Sequence, residues 1–440
     1  MKKIIIVGGG FTGLTMAYLL SKYGNKVILI ESEDDMGGLA GTFKVGGQKL
    51  EKFYHHWFTN DVHIMKLIND LGLNHKVRIR ETRTGMYYSN NFYKLSKPLD
   101  LLRFTPLSFF GRLRLGLLAL KARTVTNWRK LESVSAKEWL MKMAGEEVYK
   151  IVWEPLLRGK FGKFESKISA VWMWNKLKLR GSSRGKKGEE QLAYFEGGFA
   201  DLITFLTGAI IENNGEIVKN TEVSGILVNS SQSANGVIAG DQKFFSDYVV
   251  LTTPLPIAAK ILKEQVSEKY FLSLNKIDYL SNVCIVLELD RSLSDTYWLN
   301  VNDPNFPFVA VIEHTNFESK KLYNDRHIIY LSKYLLEDEF LYKASEEDIM
   351  QYTTKHLKEM FPEFKKSWII KKTIWKGRYS QPIVVKEYSK LIPSYETEIK
   401  NIFLNTMAQI YPEDRGTNYA VRQGYDISEM IQHRIQSSEN

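Results

Sequence analysis

Six residues near the start of the chain restrict its fold more than any others. Gly8, Gly9, Gly10, Phe11, Thr12 and Gly13 follow a short apolar run from Lys3 to Val7, and a helical pattern extends from Thr12 to Tyr23. Gly24 and Asn25 stop that helix, and a second strand is expected from Lys26 to Glu31. The result is a βαβ unit with G-x-G-x-x-G in its first turn, the context in which that spacing holds a dinucleotide. Gly8 permits the tight turn, Gly10 lets backbone amides approach a pyrophosphate, and Gly13 lets the helix lie close on the strand. The helix that begins at Thr12 turns its partial positive charge toward the phosphates. Glu31 stands 18 residues after Gly13, where a carboxylate accepts the hydroxyls of an adenosine ribose and disfavours a 2′-phosphate.

A chain of 440 residues, 44% of them hydrophobic, can bury a core over two or three domains without staples. The single cysteine, Cys284, sits in the apolar run from Val283 to Leu287 and reads as core, which excludes an intramolecular disulfide and fits a reducing, cytoplasmic setting. The N-terminal apolar run is too short for a signal peptide before glycines interrupt it. The formal charge of +10 is spread among 50 acidic residues with no nucleic-acid motif, so no nucleic-acid partner is expected. The stretch from Leu101 to Arg123 carries too many charges to span a membrane; it reads either as an amphipathic helix facing the core or as a peripheral membrane contact.

Candidate ligand contacts lie in the middle of the chain. Arg158, Arg180 and Arg184, with Lys160, Lys186 and Lys187 nearby, can grip an anionic substrate such as a carboxylate, a nucleotide sugar or a lipid-linked phosphate; the alternative is a solvated basic loop. Trp153, Trp172, Trp174, Trp375 and Tyr379 can stack on a ring or fill the core. His55 and His56 are adjacent without further ligand spacing, so no metal is expected.

Asp35-Met36-Gly37-Gly38-Leu39-Ala40-Gly41-Thr42 resembles the second glycine motif of the flavoprotein amine oxidase superfamily, which includes protoporphyrinogen oxidase-like proteins, phytoene desaturases and UDP-galactopyranose mutases. Other segments share the resemblance: "TEVSGILV", "DYVVLTTP", "YFEGGFADLITFL", "WEPLLRGKFG" and "IWKGRYSQP". It implies FAD as the cofactor, with Gly37, Gly38, Leu39 and Thr42 beside it, Val223 meeting the adenine through its backbone, and Gly416, Thr417 and Asn418 starting a helix aimed at the flavin ring. The chain departs from the family at Asn405-Thr406-Met407, which replace a glycine-rich element. His55 matches a family histidine in a loop passing the flavin, where it can tune redox behaviour or handle a proton.

The implied fold is an α/β FAD-binding Rossmann-like domain of the glutathione reductase type with an interleaved α+β substrate domain. Residues 1–85, 195–275 and 385–440 are expected to form the cofactor domain, and 86–194 and 276–384 the substrate domain. The implied activity is a FAD-dependent oxidoreductase that moves hydride from an organic substrate to the flavin, on a small molecule or a sugar nucleotide. The alternatives are a nucleotide-sugar mutase that uses reduced flavin without net redox, and a flavin-carrying membrane or partner subunit without its own chemistry.

Overall fold

A computed structural model describes residues 1–183, 185, 188–303 and 306–439. Among these, five parallel strands form one sheet in the order 216–218, 26–30, 3–7, 248–251 and 402–404. The strands Lys3–Val7 and Lys26–Ile30 are near-continuous apolar runs because both faces of this sheet are covered. The first helix spans Phe11–Lys22, one residue earlier at each end than its pattern predicts. It packs between the sheet and the C-terminal helix Thr417–Glu439, where a Cβ on Gly424 would stand 2.7 Å from the Thr15 side chain.

A second sheet has seven strands in the order 369–382, 279–289, 327–335, 310–313, 298–301, 84–88 and 91–94. It is antiparallel except where 298–301 runs alongside 84–88. Cys284 is fully buried in its 279–289 strand. Residues 86–194 supply the helices Phe109–Thr124, Ala136–Ala144, Glu154–Phe161 and Ala170–Ser182, with strands among the described residues only at the two ends. A third sheet of three strands, 223–228, 234–239 and 242–245, follows the helix Gly198–Glu212. No helix among the described residues is long and apolar enough to cross a membrane.

One buried carboxylate joins several of these pieces. Glu51, 1% exposed, accepts hydrogen bonds from Phe199 N at the start of the helix Gly198–Glu212 and from Tyr194 OH, both at 2.7 Å. Burial pushes its carboxyl up to about 7 against the pull of those two donors.

Candidate active site

The carboxyl ends of the parallel strands open a crevice on either side of the Lys3–Val7 strand, because the chain leaves it for 26–30 on one side and returns to 248–251 on the other. The glycine turn sits there. Gly8 has φ +108°. A Cβ on Gly13 would lie 1.9 Å from Gly8 O, so no side chain fits between helix and strand. A Cβ on Gly10 would meet nothing within 4 Å, which leaves open space beside the first amides of the helix, where Thr12 is buried. Gly37 and Gly38, at φ +114° and +56°, fold against this turn, with Gly37 N donating to Gly9 O at 2.8 Å. Thr42 is buried at the start of the strand that follows.

Glu31 is fixed at the end of the second strand. Its Oε2 accepts from Gly9 N at 2.6 Å and its Oε1 from Ser32 Oγ and Glu33 N at 3.0 Å. Thr221 N donates to Glu31 O at 3.0 Å, which brings the buried Val223 to this end of the crevice. A glycine cradle with unfilled space at a helix N-terminus and a partly exposed carboxylate at the next strand end fit the ADP half of FAD.

A cavity of about 190 Å³ lies at the start of the C-terminal helix, lined among others by Leu39, Tyr54, His55, Trp298, Tyr334 and Gly416. Gly416, Thr417, Asn418 and Tyr419, the first turn of that helix, line it. Thr417 Oγ1 accepts from Trp57 Nε1 at 2.8 Å, while Asn418 Oδ1 accepts from His63 N and Ile64 N at 2.9 and 3.1 Å. Asn418 therefore caps the helix Val62–Asp70 from a distant part of the chain. Asn282, 3% exposed, donates to Ser332 Oγ at 2.9 Å and keeps a buried Oδ1 without a protein partner at the cavity wall.

The charges of this cavity gather on one carboxylate. Asp414, 4% exposed, lies 2.5 Å from Lys176 Nζ and 3.7 Å from Lys160 Nζ, and Gln381 Nε2 donates to it at 3.2 Å. Among the described residues the next one, Arg415, donates to neutral groups, Gln381 Oε1 at 3.1 Å and Tyr334 OH at 2.7 Å. Although burial opposes its charge, Asp414 is held far below the usual carboxylate range by Lys176, Lys160 and Arg415. Lys160 is pushed down to about 7, chiefly by burial and further by Lys176 and Arg415, against the attraction of Asp414. Asp61, also on the wall, is pushed up to about 6 by burial. Positive charge exceeds negative.

The arrangement depends on an irregularity in the long strand Ile369–Pro382. Leu280 pairs with Gln381 and Asn282 with Gly377, so Arg378, Tyr379 and Ser380 bulge opposite Ser281 alone, with Tyr379 at φ +53°. The bulge turns Ser380 to the cavity and Gln381 to Asp414 and Arg415. Tyr379 does not line the cavity; its ring packs edge-on against Tyr279.

His55 is on the wall, with Nδ1 2.6 Å from Phe53 O. That contact places the proton on Nδ1 and leaves Nε2 an acceptor, and burial lowers the imidazole to about 4, so it is neutral near pH 7. Arg158 is more than half exposed and turned toward Glu165 and Glu154, at 3.1 and 3.4 Å, and does not line the cavity. Its neighbour Lys160, two residues along the same helix, points inward. Arg180 falls in the helix Ala170–Ser182, while Arg184, Lys186 and Lys187 lie outside the described residues. Sequence reading missed Lys176, Asn282, Tyr334, Gln381, Asp414 and Arg415; "PEDRGTN", an acid and a base just before a helix start, was their one visible signal.

The chain has relatives among known proteins. The sequence matches the family described as flavin containing amine oxidoreductase over residues 11–425. It is 23% identical over 438 residues to the 15-cis-phytoene desaturase of an Oncidium hybrid cultivar, covering 91% of this chain and 73% of that protein. It is 25% identical over 298 residues to the coproporphyrinogen III oxidase of Bacillus subtilis strain 168, covering 60% of this chain and 62% of that protein. The structure of reduced UDP-galactopyranose mutase has a TM-score of 0.76 to this one at 14% identity, covering 98% of this chain and 96% of that one, a likeness of fold alone. The chain belongs to the flavin containing amine oxidoreductase family and is a FAD-dependent oxidoreductase.

Proposed function

We propose that this oxidoreductase acts on an organic substrate that carries an acidic group, held in the cavity by Arg415 and Lys176, with Lys160 behind them against Asp414. The observation that carries the reading is the excess of buried positive charge around Asp414. Asp414 faces Lys176, Lys160 and Arg415, the other carboxylate on the wall, Asp61, is turned to Phe58 N, and among the described residues the hydrogen-bond partners of the Arg415 guanidinium are neutral. An ammonium substrate would meet repulsion there, whereas an anion completes the charge balance. Tyr54, Trp298 and Tyr334 offer ring faces and edges to an apolar body. His55, neutral with Nε2 free of its proton, is an acceptor for a substrate N–H or O–H rather than an acid.

Bound FAD supplies the two-electron chemistry by taking a hydride from the substrate. In this reading Gly8, Gly10, Thr12 and Gly13 hold its phosphates, Glu31 its ribose and Val223 its adenine. Gly37, Gly38, Leu39 and Thr42 flank its middle, and Gly416, Thr417 and Asn418 set a helix N-terminus at its ring. The cofactor domain comprises residues 1–85, 195–275 and 385–440. In support, every strand of the parallel sheet falls within those segments, and the seven-stranded sheet falls within 86–194 and 276–384 but for the first two residues of its 84–88 strand.

A nucleotide-sugar mutase is the second reading, because the same cationic cluster suits a diphosphate. Anaerobic addition of acid-bearing, neutral and amine compounds to the oxidised holoprotein separates the two. Bleaching of the flavin's visible absorbance, with a product two hydrogens lighter, is expected for an acid-bearing compound. Persistent absorbance, together with conversion of a sugar nucleotide to an equal-mass product by the chemically reduced protein, would transfer the reading to the mutase.

A further inference from the structure

The helix Phe109–Thr124 has two apolar faces, and the fold covers one of them. Gly111, Leu118 and Ala122 are buried, with Trp174 Nε1 donating to Ala122 O at 2.7 Å to fasten this helix to Ala170–Ser182, the helix that carries Lys176. At about 100° per residue, Phe109, Leu113, Leu117 and Leu120 occupy an arc of about 80° on the opposite side. These four side chains are 44–60% exposed, and Phe110 at the edge of the stripe is 72% exposed. Exposed Arg114 and Lys121 border the stripe on one side and Arg123 on the other. The preceding turn Pro98–Arg103 adds exposed Leu102 and Arg103, and is tied to the helix by Arg112, which donates to Leu102 O and Leu107 O.

Residues 101–131 contain seven Lys or Arg and no Asp or Glu. A second copy of this surface would set cations against cations. A leaflet of anionic phospholipid instead offers acyl chains to the stripe and phosphates to its borders, the pattern of a helix lying in a membrane interface. We propose that this face docks the protein on anionic bilayers, with Phe109, Leu113, Leu117 and Leu120 entering the headgroup boundary and the flanking cations meeting lipid phosphates. The expectation from sequence that the apolar face turns to the core holds for the Gly111–Leu118–Ala122 face only. Because the docking helix packs directly on a helix that lines the cavity, docking also brings the site close to the bilayer.

The test is cosedimentation of the FAD-loaded full chain with vesicles of phosphatidylcholine alone and of equimolar phosphatidylcholine and phosphatidylglycerol. Binding to the anionic vesicles is expected, weakened by added salt. Leu113→Glu with Leu117→Glu should lower it about tenfold or more, since each change removes an inserted side chain and adds a repelled charge. Flavin content should stay unchanged, because both side chains are exposed. Should that variant misfold, Lys121→Gln with Arg123→Gln tests the same surface by lowering affinity for anionic vesicles only. Absence of binding by the wild-type chain, or binding indifferent to these changes, overturns the proposal. So does a concentration-dependent dimer that the Leu113→Glu, Leu117→Glu pair dissociates while no vesicle is bound, which would assign the surface to a second copy.

Discussion

Removing the carboxylate of Asp414 should destabilise the protein more than its single hydrogen-bonded position suggests. In Asp414→Asn the side-chain shape survives, but Lys176 at 2.5 Å and Lys160 at 3.7 Å lose their counter-charge while Arg415 stays beside them. Unit charges about 4 Å apart interact by about 4 kcal/mol at an effective dielectric near 20, and stripping one partner from a buried pair costs about 3–5 kcal/mol. Lys176 is 36% exposed, so water recovers part of its loss, and the expected cost falls at the lower end, about 3 kcal/mol. Lys160 is only 16% exposed, but it is held at about 7 even beside Asp414 and sheds its proton at pH 7 once that carboxylate is gone. The second change, Lys176→Met, removes the cation left 2.5 Å from the lost carboxylate and should therefore restore part of the loss in an Asp414→Asn background. Urea unfolding at pH 7 with saturating FAD, followed by circular dichroism and by flavin release, measures both variants. A loss under about 1 kcal/mol, or a double variant no more stable than the single one, would refute the charge account of this cluster.

Three further outcomes follow from the geometry. Gly10→Ala should leave the apoprotein's melting temperature unchanged, because its Cβ meets nothing within 4 Å, yet weaken FAD binding about tenfold or more by filling the phosphate space; equilibrium dialysis checks it. Gly13→Ala should destabilise the apoprotein itself, because its Cβ would lie 1.9 Å from Gly8 O, and a thermal melt without FAD shows the contrast. Lys160 is held at about 7, below its ordinary 10.5, so the cost of its charge in the folded state is full below about pH 7 and fades as pH rises toward 10.5. Lys160→Met should accordingly stabilise more at pH 6 than at pH 9, by at most about 3 kcal/mol because only the two pH units above 7 fall between them, in paired denaturation curves.

The cofactor half of the molecule was legible because its signals are local. The glycine turn, the apolar runs on either side and Glu31 all lie within 31 residues, and strand and helix periodicity mark each boundary within a residue. The charge cluster was not legible for the opposite reason. Lys160, Lys176, Gln381, Asp414 and Arg415 come from two helices, a strand bulge and the loop before the last helix, and only the tertiary fold brings them together. Within the helix Glu154–Phe161 the sequence reading put Arg158 forward as the substrate contact, with Lys160 as a cation nearby. Glu154 and Glu165 hold the first at the surface, and the second turns inward over Trp172 and Tyr334. The stretch from Leu101 to Arg123 shows the same limit, since periodicity cannot tell which of two apolar faces a helix buries.

The central claim is that Arg415 and its lysine neighbours select an acid-bearing substrate, and a matched pair of ligands tests it most directly. Benzoate and benzylamine differ in the sign of their charge on the same ring, and each can be titrated into the oxidised holoprotein while the flavin spectrum is recorded. The account predicts that benzoate perturbs the spectrum at least about tenfold more tightly than benzylamine, and that Arg415→Gln removes this preference while retaining FAD. Tighter binding of benzylamine, or a preference for benzoate that survives Arg415→Gln, would contradict it.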